Sequence, residues 1–267
     1  MGSMMPTVDL VVPVKPLAKA KSRLRGAADN GIGAQRAHAR LAMALARDTL
    51  AAVQAAASVR HLLVVSSDPV VAAELGVFGI EVVPDVPAPR LTGLNAAYAR
   101  GAALLRERDP AAVVGALQAD LPALRPADLD AAVGAALDLF AAGVARVFVP
   151  DAGGTGTTFL LAAAGVLLDP RFGAGSATAH AASGAALLSG EWPGLRRDVD
   201  TADDLRDAAA LGLGEHTAHV MRRRWIPARD PGGRAAAERV TARHCSLGSR
   251  ASPGATEGGV RNNPSRG

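Results

Sequence analysis

Short apolar runs alternate along this chain with longer stretches rich in Ala, Leu and Arg and poor in β-branched residues. The runs predict strands at 8–14, 61–67, 80–85, 111–120 and 145–151, with a further one at 158–163. Between them, helices are expected over 34–56, 92–105 and 126–140, and a shorter one from Asp68-Pro69 to Leu75. Pro126 stands where a first-turn proline would, since the N–H it lacks has no partner there anyway. Past residue 151 the pattern loosens into a Gly- and Thr-rich turn, then a helix over 176–188 and an extended segment over 195–201. Thr201 and Asp204 make a capping-box pattern that opens a last helix ending near Leu211. Strand alternating with helix predicts an α/β fold, a mostly parallel central sheet flanked by helices on both faces. There is no internal repeat, and residues 5–213 are expected to form one domain.

Charge changes the picture only once it is located. The 267 residues include 29 basic and 25 acidic side chains, a net charge of +4, and a basic average first suggests nucleic acid. From Arg222 to Gly267 there are ten Arg against three acids, or +7, which leaves −3 for the rest of the chain. Residues 214–267 therefore read as a basic, low-complexity tail, expected to be disordered from about 222. Its one aromatic residue, Trp225, offers little for base stacking, so no nucleic-acid partner is expected; binding through the tail stays as the rival reading. Hydrophobic residues at 49% suffice for a core, and aromatics at 3% mean it must be built from Ala, Leu and Val. No apolar run approaches the roughly 18 residues of a membrane span, and no charged start leads into an apolar signal region. With Cys245 the only cysteine, no intrachain disulfide is possible, and a cytoplasmic protein without a membrane partner is expected. The oligomeric state is left open, a homo-oligomer included.

Ligands of such sheets bind at the carboxyl ends of the strands. Lys15, Lys19 and Lys21 are the only lysines, and with Arg23 and Arg25 they fill the loop after the first strand. That loop is either a solvated basic segment or a site for several phosphates, where ammonium groups act as point charges. It is neither a Walker A loop nor a dinucleotide fingerprint, because the required glycines are missing. Asp120 ends an apolar strand in LQADLPAL, as a turn cap or as a ligand of Mg2+. Asp198 and Asp200 alternate in DVD, so an extended backbone points both to one face, where a cation would neutralise them. Asp200 competes with Thr201 for capping the last helix, which makes Asp198 the better metal candidate; Mg2+ on Asp120 and Asp198, with Asp200 in reserve, is the expected cofactor site. Gly173 and Gly175 allow close backbone approach, Ser176 opens a helix, and Thr157 and Thr158 lie in a nearby turn. His38 and His180 read as solvent-facing helix residues.

The stretches VVPVKPLAKAKSRL, LTGLNAAYARG, LQADLPAL, GTGTTFL, FGAGSATAH and DVDTADDL together resemble the guanylyltransferases of coenzyme F-420 biosynthesis, over residues 8–213. The resemblance implies the nucleotide-diphospho-sugar transferase, or glycosyltransferase-A-like, fold. It also implies a nucleotidyltransferase that moves GMP from GTP to phosphoenolpyruvate, 2-phospho-L-lactate or 3-phosphoglycerate, with release of pyrophosphate. By the same resemblance Asp120 and Asp198 hold metal, while Thr158, Gly173 and Ser176 hold the phosphorylated three-carbon acid. Lys15, Lys19, Lys21 and Arg23 form the basic loop, with Lys15 and Lys21 catalytic, and Asn95 meets the nucleotide base or sugar. An Ala-rich, Arg-over-Lys composition resembles actinobacterial members, which favours phosphoenolpyruvate. The closest alternative is an enzyme of the same fold that uses another nucleotide or acceptor, such as a sugar phosphate.

Overall fold

A computed structural model describes residues 7–17, 22–29, 31–86 and 93–223. The first strand, β1 (Val8–Pro13), is buried along its whole length, as a strand with neighbours on both edges and helices on both faces must be. It is followed by a 3-10 turn (Ser22–Leu24), α1 (Gln35–Ala55), β2 (Val59–Val65), α2 (Pro69–Gly76), β3 (Glu81–Val83), α3 (Gly93–Arg108) and β4 (Val113–Leu117). Then come α4 (Pro126–Ala141), β5 (Arg146–Pro150), β6 (Thr157–Ala162), α5 (Ser176–Ala182), β7 (Ala186–Leu187), α6 (Pro193–Arg196), α7 (Ala202–Leu211) and α8 (Glu215–Arg223). The strands make one sheet in the order β3-β2-β1-β4-β6-β5-β7. β3, β2, β1 and β4 run parallel, whereas β6 is antiparallel to both β4 and β5, and β7 joins β5 in parallel. The expected mostly parallel α/β sheet is what forms.

Alternation along β1 divides the interior in two. Leu10 and Val12 pack with Met43, Leu50 and Val53 of α1 and Leu129 and Val133 of α4. Val11 faces the other way, onto Ala97, Tyr98 and Leu105 of α3. The helices are Ala-rich where they press on the sheet, and Gly101 lets α3 come closest: a methyl there would run into Val11. A third, smaller cluster joins Leu24 of the 3-10 turn, Leu41 and Leu45 of α1, Val199 and Leu205.

Several boundaries differ from the sequence reading, each for a local reason. The helix opened at Ser176 stops at Ala182 rather than 188, because Gly184 turns the chain at a φ of 85° and residues 186–187 add to β5. The segment read as extended from 195 begins as the helical turn of α6 and only then straightens. Helix α8 was hidden by the polar, Arg-rich composition of its sequence. It forms because Val220 and Met221 pack on the third cluster and the Asp48 carboxylate accepts from His216 N and Thr217 N, at 2.9 and 2.8 Å. His38 and His180 are both buried, His180 completely, which corrects their reading as solvent-facing. The capping box at Thr201 and Asp204 is present as read. The tail after 223 lies outside the described residues.

Candidate active site

A cleft of about 420 Å³ opens at the carboxyl ends of β1 and β4, within the range of small-ligand sites. Lys15, Arg23, Gln118, Asp120 and Asp200 give it polar groups, and Leu17, Leu45 and Leu94 give it an apolar wall. Two cations and two carboxylates from three separate chain segments thus face one space. Lys19 and Lys21 lie outside the described residues.

Each wall is held by identifiable bonds. Asp68 caps α2 by accepting from Val70 N, and its other oxygen accepts from Leu17 N at 2.9 Å, which ties the start of the lysine loop to α2. Asp151 is structural: it accepts from Thr155 N and Gly156 N and folds the glycine turn before β6. Arg23 is placed by its neighbour Leu24, which is buried in the third cluster.

Asp120, itself 6% exposed, is fixed through the backbone on both sides. The buried Thr49 hydroxyl of α1 donates to Ala119 O (3.1 Å) and to Leu45 O (3.0 Å), and accepts from Leu121 N (2.9 Å). Val199 N donates to Asp120 O at 3.1 Å, so the DVD segment runs directly alongside. Close packing of α6 permits this approach, since a methyl on Gly194 would overlap the Ala123 carbonyl oxygen. Thr49 carries no signal in the sequence that sets it apart from its neighbours in the helix, Arg47 and Asp48 included.

Asp200 lines the cleft, whereas Asp198, two residues before it and half-buried, is not among the residues that line it. Thr201, rather than Asp200, provides the cap of the last helix. A buried carboxylate paired with a second from a neighbouring segment suits Mg2+, which takes one or two protein carboxylates and completes its octahedron with phosphate oxygens and water. No group of three or more His, Cys, Asp or Glu side chains with metal-site geometry occurs among the described residues. For a phosphate-bound magnesium ion none is needed.

The second cluster predicted from sequence lies next to this cleft. Thr158 is fully buried, and its hydroxyl has no hydrogen-bond partner among the described residues. Gly173 is exposed at a φ of 136°, a conformation that excludes a side chain, and Ser176 is buried at the start of α5. Gln118 joins the two regions: its N donates to Thr158 O (2.9 Å) and its side-chain amide to Thr157 O (3.3 Å).

Asn95 does not line the cleft, although its neighbour Leu94 does. Its side chain instead donates to Phe172 O (3.0 Å) and accepts from Phe172 N (2.8 Å), so both ends of the amide are engaged by backbone. His180 is similarly engaged. Its Nε2 accepts from Arg171 N (2.9 Å), which leaves the proton on Nδ1 to meet Thr157 Oγ1 (2.9 Å). Burial pushes the imidazole down to about 4, so the ring is neutral at physiological pH. Burial likewise pushes the Tyr98 phenol far up, and it donates to Leu117 O at 3.0 Å.

No protein-family model matches the chain. It is 54% identical over 209 residues to the phosphoenolpyruvate guanylyltransferase of Salinispora arenicola, which covers 78% of this chain and 91% of that protein. It is 50% identical over 212 residues to the protein of that name from Geodermatophilus obscurus, covering 79% and 93%. Among solved structures, a protein from Desulfovibrio desulfuricans G20 assigned to the nucleotide-diphospho-sugar transferases superposes with a TM-score of 0.57 at 15% identity, over 84% of this chain and all of that one. That likeness is one of fold.

Proposed function

The chain belongs to the phosphoenolpyruvate guanylyltransferase family, and from that footing we propose that it transfers GMP from GTP to phosphoenolpyruvate, releasing pyrophosphate, in the biosynthesis of coenzyme F-420. The observation that carries this reading is the convergence of Lys15, Arg23, Asp120 and Asp200 on one cleft at the strand ends. Cations and carboxylates gathered this way suit a triphosphate with a divalent ion, because each sign of charge has its counterpart.

A phosphate oxygen of the acceptor attacks the α-phosphorus of GTP, and the bond to the β-phosphate oxygen breaks in line with it. The nucleophile is already ionised, so no general base is required, and the neutral, fully engaged His180 is not asked to be one. What remains is positioning and neutralisation of charge. Lys15 and Arg23 offset the charge of the triphosphate, with Lys19 and Lys21 of the same loop assigned alongside them. Asp120 with Asp200 and Asp198 would hold Mg2+, which when bound supplies charge neutralisation at the phosphates. Thr158, Gly173 and Ser176 are assigned to the acid; the buried Thr158 hydroxyl supports this, being a donor still to be matched.

The test is a matrix of four nucleoside triphosphates against phosphoenolpyruvate, 2-phospho-L-lactate and 3-phosphoglycerate with Mg2+, followed by pyrophosphate release. GTP with phosphoenolpyruvate is expected to dominate, and Asp120→Asn to abolish turnover while leaving the thermal transition in place. Near-normal pyrophosphate release by that variant would sink the assignment.

A further inference from the structure

The loop over residues 171–176, which carries Gly173 and Ser176, makes little regular structure of its own, yet its first residues are pinned from two sides. From α3, Asn95 bonds both the N–H and the carbonyl of Phe172. From α5, His180 accepts from Arg171 N and reaches across to Thr157 on β6. The Phe172 ring between them stacks on Tyr98 at 4.3 Å between centroids and meets the His180 ring edge-on at 5.2 Å. Just ahead of the loop, Asp169 takes a positive φ of 47° and accepts from Arg146 and Arg171.

Both pins lead directly to the cleft. Asn95 follows Leu94, which forms part of the cleft wall. Thr157, the partner of His180, receives the Gln118 side chain, another part of that wall. A polar side chain that is fully buried and spends both ring nitrogens on a loop backbone and a neighbouring strand is costly unless the bonds it makes matter. Those bonds fix one loop relative to one cleft.

We propose that Asn95 and His180 are positioning residues that clamp the 171–176 loop against the nucleotide cleft and thereby set the placement of the phosphorylated acid. This rests on the assignment of Gly173 and Ser176 to the acid, and it gives Asn95 a role different from the nucleotide contact expected from sequence. In-line transfer needs the acceptor oxygen and the α-phosphorus at near-contact distance, and a shift of about 1 Å costs on the order of 10²-fold in rate. A loop without regular structure of its own does not hold such a tolerance unaided.

Asn95→Leu and His180→Phe remove the hydrogen bonds while keeping volume, and the Phe ring retains packing against Phe148 and Phe172. Steady-state kinetics for each substrate, with GTP affinity measured separately by calorimetry in the absence of acid, reads the effect. Each variant is expected to lose on the order of 10²-fold in kcat/KM for the acid, through a lower kcat, a higher KM or both, with GTP affinity unchanged. His180→Gln, which keeps an amide able to accept from Arg171 N, is expected to recover part of that loss. Weakened GTP binding by Asn95→Leu, with the KM for the acid unchanged, would return Asn95 to the nucleotide and overturn the clamp. A lowered melting temperature with kcat and both KM values unmoved would also overturn it, since the residues would then be merely structural. Should His180→Phe not fold, Asn95→Leu applies the same test from the other side of the loop. A wild-type protein that releases pyrophosphate with none of the three acids refutes the acceptor reading and the clamp together, whereas normal wild-type turnover with unaltered variants refutes the clamp alone.

Discussion

One hydroxyl, that of Thr49, touches the backbone on both sides of Asp120 and so fixes where this strand-tip carboxylate sits. Thr49→Val keeps the shape and removes the bonds, leaving Ala119 O and Leu121 N short of a partner. The expected cost is about 1–3 kcal/mol of stability, read by urea denaturation, with Mg2+ affinity by calorimetry falling as well; unchanged affinity would show that Asp120 needs no such support. His180 makes the second prediction at this scale. Its pKa is near 4 in the fold against 6.5 for a free imidazole, chiefly through burial, with Asp169 opposing and Arg171 and Arg146 adding to the shift. Between these values the unfolded chain binds the extra proton. The His180 contribution is therefore present above about pH 6.5 and is lost as pH falls toward 4, at no more than about 1.4 kcal/mol per pH unit. Urea titrations of wild type and His180→Phe across that window should diverge in slope; parallel curves would mean the imidazole is not buried neutral.

At the level of elements, the least anticipated feature is α8. A segment that reads as the start of a polar tail is helical because Asp48, from the middle of α1, caps its first turn across 168 residues of chain. Gly214 makes this fit possible, since a side chain there would strike the Asp48 carboxylate. Asp48→Ala removes two charge-assisted bonds and is expected to cost about 1.5–3 kcal/mol. In amide exchange, residues 215–223 should lose protection before the sheet does. If α8 stays as protected as α1 in that variant, its anchoring comes from Val220 and Met221 alone. The regular elements were legible in advance because each obeys a local rule: β-branched apolar runs for strands, Asp68-Pro69 and Thr201–Asp204 for helix starts. The 176–188 helix was overread because its Ala-rich sequence continues past the point where Gly184 turns the chain.

For the whole molecule, the question raised by the basic average becomes one of where function resides. The cleft, the DVD segment and the 171–176 loop all lie before residue 201, and α8 closes over α1 just after. Truncation after residue 223 should therefore leave pyrophosphate release near the full-length value. Truncation after 213, which deletes α8, should lower thermal stability measurably. Loss of activity on removing residues 224–267 alone would count against the enzyme reading and in favour of the rival in which the tail binds nucleic acid. No helix among the described residues is long and apolar enough to cross a membrane.

What the amino-acid sequence determined by itself was whatever depends on neighbours along the chain. The alternation that builds a mostly parallel sheet, the caps, the cationic loop after β1 and the carboxylate at the end of β4 all belong here, because propensity, periodicity and strand ends are local. The tertiary structure decided what depends on residues far apart. It put Asp200 in the cleft, turned Asn95 onto Phe172, buried His180 under the loop and brought Thr49 to the backbone on either side of Asp120. The hydrogen bonds among these contacts span from 9 to 77 residues of chain. A side chain's partner at such distances is set by how the helices pack on the sheet, and no periodicity encodes it.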